Sequence, residues 1–297
     1  MLAHLVRAYL RHEGTPNHAS FETDWVPQDY LDDYYWKVEP DERSTIAFFV
    51  DAMREIKGGE PVLLFGVGPT LHHVFLAAEK ASEIHLGEYL PANLHEIERW
   101  LARDPGAHDW TPFVRYTLQC EGVRQPTSAQ VAEREERTRA KISRLLEVDL
   151  RQADPLLGAT VPAYGTVISA YCADSATADR AAWALYTRRI AALVRPGGTL
   201  LLAALRRSRA YHVGGKSFPS ADIDETSVHA VLRTCGFASV GVAACALEDV
   251  AAKGYSSIVL ARAGPVLEAP VASLRRPPPA IPGCARTTAD RTALPGP

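Results

Sequence analysis

Apolar positions along the chain fall into short continuous runs separated by stretches where they recur every three or four residues. That alternation predicts strands of a covered parallel sheet joined by helices. The first run is Val62, Leu63, Leu64 and Phe65. It enters Gly66-Val67-Gly68-Pro69-Thr70 directly, and two residues without a Cβ let the backbone turn sharply and approach a ligand there. Thr70 can open a helix, and Leu71, Val74, Phe75 and Ala78 recur at helical spacing, so a helix is expected over 70–81. The next strand, 83–88, ends at Glu88, about twenty positions after the glycines, where nucleotide-binding folds hold a ribose by its hydroxyls.

The pattern continues downstream. Residues 91–102 start with proline and carry Leu94, Ile97 and Leu101, which predicts a second crossover helix. Residues 110–120 are ambiguous, and the charged run AEREERTRAKISRLLE is expected as a solvated helix with Val131, Ile142, Leu145 and Leu146 inward. Strands are expected over 145–150, with Asp149 near the end, over 165–171, and over 199–205, the last two separated by a helix over 177–193. A hairpin or flap centred on Gly214-Gly215, a helix over 225–235 and an antiparallel pair over 237–244 and 255–261 complete the domain.

Upstream, MLAHLVRAYLRHEG reads as a packed helix rather than a signal peptide, because Arg7 and Arg11 interrupt it. The segment FETDWVPQDYLDDYYWKVEPDE concentrates Phe21, Trp25, Tyr30, Tyr34, Tyr35 and Trp36 among acidic residues. It is either an amphipathic helix with its aromatic side on the core or a lid whose π faces cover a ligand. Ser44 is the expected cap of a helix through Lys57. After Gly264 the chain turns to proline, alanine and arginine, a composition that builds no core, so a disordered tail is expected. The organisation expected is helices and lid over 1–58, one domain over 59–263 and the tail over 264–297.

At 297 residues and 47% hydrophobic the chain can bury a large core. A formal charge of −3 offers no basic face, so no nucleic acid partner is expected. No run is long and apolar enough to span a bilayer. The five cysteines lack a CxxC pair, which indicates neither a disulfide frame, nor zinc or another metal, and fits a reducing cytoplasm. A monomer or weak dimer is expected.

Five alternating strand and helix units, the glycine turn and the Pro196-Gly197-Gly198 turn before strand five resemble the class I S-adenosylmethionine-dependent methyltransferase fold. That resemblance implies an α/β, Rossmann-like seven-stranded sheet with helices on both faces, plus an N-terminal helical lid. The motifs PQDYLDDYY, GVGPT, EYLPANLHEIERWL, DPGAHDWTP and LVRPGGTLLLAAL, in that order, are similar to the nicotinamide, phenylethanolamine and indolethylamine N-methyltransferase family across residues 21–262. The resemblance implies S-adenosylmethionine as cofactor. It places Tyr30 and Tyr35 as lid tyrosines, Gly66, Val67, Gly68, Thr70 and His72 at the turn, and Glu88, Tyr89 and Asn93 at the ribose and adenine. Asp149 and Leu150 fall at the adenine edge and Ala170 at the end of strand four. Leu64 stands where the family has aspartate, Val67 where it has serine, and Phe21 and His72 where it has tyrosine.

Three functional readings compete. A dinucleotide-dependent oxidoreductase wants a third glycine where this chain has Leu71. A ligand-binding relative without catalysis is hinted at only by Leu64 and Val67. The favoured reading is methyl transfer to a small aromatic or heteroaromatic metabolite, most simply to nitrogen, with carbon or oxygen of an indole or phenol as the alternative. Such transfer needs alignment and exclusion of water more than acid-base machinery. Asp174 and Tyr30 are the expected catalytic residues, and Tyr171, Asp174, Ala203 and Tyr211 the expected substrate contacts. Because strand five carries Ala203 and then Arg206 and Arg207 rather than acidic residues, a neutral or anionic substrate is expected over nicotinamide or an arylethylamine.

Overall fold

The computed structural model describes residues 18–248, 253–264 and 284–286. The expected helix over the first fourteen residues lies outside them, as does most of the tail. In chain order the elements begin with α1 (Phe21–Asp24), α2 (Pro27–Tyr34) and α3 (Pro40–Glu55), then β1 (Val62–Phe65), β2 (Ile84–Glu88), α4 (Pro91–Leu101), α5 (Thr111–Cys120) and α6 (Ser128–Lys141). They continue with β3 (Ile142–Glu147), β4 (Tyr164–Ala170), α7 (Arg180–Ala191) and β5 (Val194–Leu205). Last come the hairpin β6 (Ala210–Val213) and β7 (Lys216–Pro219), α8 (Glu225–Thr234), β8 (Ser239–Ala246), β9 (Ser257–Gly264) and β10 (Cys284–Arg286).

The main sheet runs β10-β8-β9-β5-β4-β1-β2-β3, parallel from β5 through β3, with β9 antiparallel to β5 and β8 antiparallel to β9. Alternation along β1 shows why the sheet is covered twice. Val62 and Leu64 join a core with Phe49, Ile97 and Phe113, while Leu63 and Phe65 join a second core with Trp183, Ile190 and Val228. The chain leaves β1 toward β2 on one side and later returns to β4 on the other, so a crevice opens beyond the carboxyl ends of β1 and β4.

Several expectations change. Residues 70–81 form successive turns, with Val74 N on Leu71 O at 2.8 Å and Ala77 N on Val74 O at 3.1 Å, not a regular helix. Residues 71–78 are buried on every side, so no single apolar stripe imposes a helical face. Pro40 starts α3 with its preset φ, four positions ahead of Ser44, whose hydroxyl instead donates to Pro40 O at 3.0 Å. Pairing with β2 pulls the third strand back to Ile142, so Ile142, Leu145 and Leu146 are strand rather than helix. Within the expected tail, residues 284–286 pair with β8 and add an edge strand to the seven expected, so the main sheet has eight strands among the described residues. Cys245 is disulfide-bonded, against the expectation of free thiols, and its backbone neighbour in register is Cys284. Among the described residues no helix is long and apolar enough to cross a membrane.

Candidate cofactor and substrate site

A cavity of about 1010 Å³, counting the space that opens to solvent, fills the crevice at the ends of β1 and β4. Its floor is the turn after β1. Gly66 has φ +72° and Gly68 φ +61°, values that favour glycine, and a Cβ on Gly66 would stand 2.1 Å from Cys172 Sγ. Glu88 is buried at the end of β2 and stitches the floor to the wall: Oε2 accepts from Gly68 N at 2.8 Å, and Oε1 from Leu90 N at 3.0 Å and Asn93 Nδ2 at 2.9 Å. Burial raises the Glu88 carboxyl, and these three donors oppose the rise. A carboxylate has about four acceptor sites, so one remains for a ligand hydroxyl.

The mouth is built from longer polar side chains. Asp149 Oδ1 accepts from Arg151 N at 2.8 Å and Arg151 Nε at 2.9 Å, and Arg151 Nη1 reaches Glu22 Oε1 on α1 at 3.1 Å. The guanidinium lies 4.5 Å from the Tyr89 ring centre, and Tyr89 OH donates to Glu22 Oε1 at 2.7 Å. Phe21 and Trp25 pack on Phe218 of β7, at 5.1 Å and 5.2 Å between ring centres, which joins the N-terminal helices to the hairpin. Trp25 Nε1 donates to Asn93 Oδ1 at 2.9 Å and completes that wall.

Every position expected to hold cofactor lines this cavity: Tyr30, Tyr35, Gly66, Val67, Gly68, Thr70, His72, Glu88, Tyr89, Asn93, Asp149, Leu150 and Ala170. The two lid tyrosines stand differently, though. Their hydroxyls are 3.0 Å apart, but Tyr35 is only 2% exposed and packs on His72, Trp110 and Phe113, so it belongs to the core. Tyr30 is partly exposed against Trp25.

Behind the tyrosines lies a smaller inner space of about 330 Å³, again counting what opens to solvent, and Tyr30, Tyr35, Tyr171, Ser175 and Tyr211 line both spaces. Its other walls are Tyr34, Tyr255, Leu205 and two buried carboxylates, Asp41 and Glu42, from the first turn of α3. Tyr171 holds φ +51° directly after β4, and its hydroxyl is 2.6 Å from Thr45 Oγ1. Burial and the neighbouring Glu42 raise the Asp41 carboxyl, against Lys253 and a hydrogen bond from Tyr255 OH. Burial also works to raise Glu42, but the His72 and His73 imidazoles outweigh it and hold that carboxyl below the usual range. Burial lowers His73 to about 4.

Two expected substrate contacts are not brought to either cavity. Asp174 is 2% exposed, its Oδ2 accepts from Leu205 N at 2.8 Å, and its carbonyl accepts from Ala221 N at 2.9 Å, so it ties β5 to the segment before α8. Burial pushes its carboxyl up to about 7. Ala203 is enclosed within β5, and its carbonyl accepts from Tyr171 N at 2.8 Å. The reading from the sequence missed Glu22, His73, Arg151, Cys172 and Ser175 at the large cavity and Asp41 and Glu42 at the inner one, and it named Trp25 only within the aromatic segment. A signal existed for Glu22 and Trp25, which sit in the aromatic and acidic segment. None existed for Asp41 and Glu42, which resemble ordinary first-turn acids of an exposed helix.

The family model described as the NNMT/PNMT/TEMT family matches residues 14–259. The chain is 31% identical over 219 residues to nicotinamide N-methyltransferase of Sus scrofa, covering 71% of this chain and 81% of the relative. The chain belongs to the NNMT/PNMT/TEMT family. It is also 30% identical to indolethylamine N-methyltransferase of Mus musculus, over 73% of this chain and 83% of the relative. Among solved structures, a Burkholderia thailandensis 1,6-didemethyltoxoflavin-N1-methyltransferase with bound S-adenosylhomocysteine aligns at TM-score 0.46 and 14% identity, covering 80% of this chain and 87% of that one. As a member of the NNMT/PNMT/TEMT family the protein is an S-adenosylmethionine-dependent methyltransferase of the class I fold. The site fits that cofactor: a floor kept clear by two glycines, a buried carboxylate with an acceptor site to spare, and an adjoining second space.

Proposed function

We propose that the large cavity holds S-adenosylmethionine through Gly66, Gly68, Glu88, Asn93 and Asp149, and that the inner cavity holds a small aromatic or heteroaromatic molecule whose nitrogen takes the methyl group. The observation that carries this reading is the second space behind Tyr30 and Tyr35, with tyrosines on most of its wall and buried Asp41 and Glu42. Aromatic faces sandwich a flat ring, and carboxylates accept hydrogen bonds from its N–H groups. The acidic groups absent from strand five enter instead from α3, which withdraws the argument for a neutral or anionic substrate and favours a nitrogen base. The relatives named above methylate nitrogen on such molecules, as their names state.

The cofactor supplies an electrophilic methyl group; this chain's residues supply alignment and dryness. Tyr171, Tyr211 and, from α2, Tyr30 each line both spaces and would align substrate against cofactor. We read the protein as a monomer or weak dimer with a small-molecule partner and no nucleic acid. A cytoplasmic setting agrees with the composition, although the Cys245 disulfide is harder to keep in a reducing compartment. A panel of arylamines, pyridines, phenols and indoles with methyl-labelled cofactor tests the reading. Label on nitrogen, lost in Tyr211→Ala, is the expected result, and label on oxygen or carbon overturns it.

A further inference from the structure

Glu42, His72 and His73 meet on the wall between the two cavities, and their arrangement is not that of an ordinary ion pair. Glu42 Oε2 lies 3.0 Å from His72 Nε2 and 3.0 Å from His73 Nε2. These side chains are only 4%, 4% and 7% exposed. Despite the short distances, Glu42 Oε2 and both Nε2 atoms make no hydrogen bond of acceptable angle, so three buried polar atoms crowd together without satisfying one another. Leaving buried polar groups unpaired is costly. A shared ion removes the cost.

The spacing fits one. All three donor atoms lie within 4.8 Å of one another. Two donors at right angles on a metal with bonds of about 2.1 Å stand about 3.0 Å apart. Two imidazoles and one carboxylate on a single face, with the other positions open, form a set suited to divalent first-row metals. The elements hold the set in place: Glu42 is in the first turn of α3, and the two histidines follow the glycine turn, with ring centres 3.8 Å apart. Both histidines line the large cavity and Glu42 the inner one, so the set borders both spaces.

We propose that Glu42, His72 and His73 bind one divalent transition-metal ion, with water or an oxygen donor of the substrate completing its shell. This goes beyond the methyl-transfer reading, and its test uses neither cofactor nor substrate. Chelator-treated protein titrated with cobalt(II) should develop visible d–d absorption that saturates at one equivalent per chain and is bleached by zinc(II). Excess zinc(II) should raise Tm by several degrees, as expected for a ligand well above its Kd. His73→Ala and Glu42→Gln should abolish both signals. X-ray absorption at the cobalt edge of the unaltered protein should show two imidazoles, which keeps the test independent of how the variants fold. A wild-type protein with no saturable cobalt signal, a shell with fewer than two imidazoles, or undiminished binding in a folded His73→Ala variant overturns the proposal.

Discussion

Glu88 does two jobs at the residue scale, and their separation is measurable. Its carboxylate satisfies Gly68 N, Leu90 N and Asn93 Nδ2, and in the proposed complex it also takes a ribose hydroxyl. Glu88→Ala should therefore weaken cofactor binding by about 1.5–3 kcal/mol and lower Tm as well, since buried donors lose their partner. Calorimetry below both melting temperatures checks the first, and an unchanged affinity refutes the ribose role. Asp174 makes a different prediction because it lines neither cavity. Burial pushes its carboxyl up to about 7, well above the ordinary aspartate range. The folded state thus holds its proton more tightly than the unfolded state, and stability falls as pH rises through that window. Asp174→Asn should remove the fall, gaining on the unaltered protein by about 2–4 kcal/mol between pH 4 and pH 8. Parallel urea curves at the two pH values would refute it. Turnover of the variant should remain.

Between elements, the mouth is held by contacts that are cheap to break. Arg151 and Glu22 are 53% and 50% exposed, so Arg151→Ala should cost under about 1 kcal/mol of stability. It should nevertheless speed release of S-adenosylhomocysteine, because α1 loses its tie to the loop after β3; stopped-flow fluorescence of Trp25 reads the rate, and an unaltered rate refutes the latch. Tyr35→Ala, by contrast, should cost about 3–5 kcal/mol as a core deletion. A small change in its urea curve would return Tyr35 to the lid. The cofactor cavity was legible in the sequence because local rules write it: an apolar run, a glycine turn, then an acid at the next strand's end. The substrate wall was not, because it forms from side chains far apart in the chain. Asp41 is covered by Tyr255 and Lys253 on the approach to β9, and Glu42 by His72 and His73 after the glycine turn. Asp174 was misplaced for the same reason: its turn away from the cavity depends on Leu205 N. The missing helix after β1 reflects burial on all sides, which periodicity does not report.

Taken whole, the molecule places its chemistry where the sheet order reverses, so one crevice serves both ligands. The succession of strands was legible from alternation alone through β5, although β3 starts at Ile142 rather than within the expected 145–150. The sheet's far edge was not, since β10 is recruited from a segment whose composition argues against structure. The crevice joins elements from both halves of the fold, so a ligand seated in it should stabilise the entire domain by RT ln(1 + [L]/Kd), about 2.7 kcal/mol at a hundredfold excess over Kd. The most direct test of the account is titration calorimetry of S-adenosylhomocysteine, with NAD as control, into the unaltered protein and Glu88→Ala. One site per chain for S-adenosylhomocysteine, at least tenfold weaker in the variant, and no heat with NAD is the predicted result. Saturable NAD binding, or S-adenosylhomocysteine binding indifferent to Glu88, would contradict it.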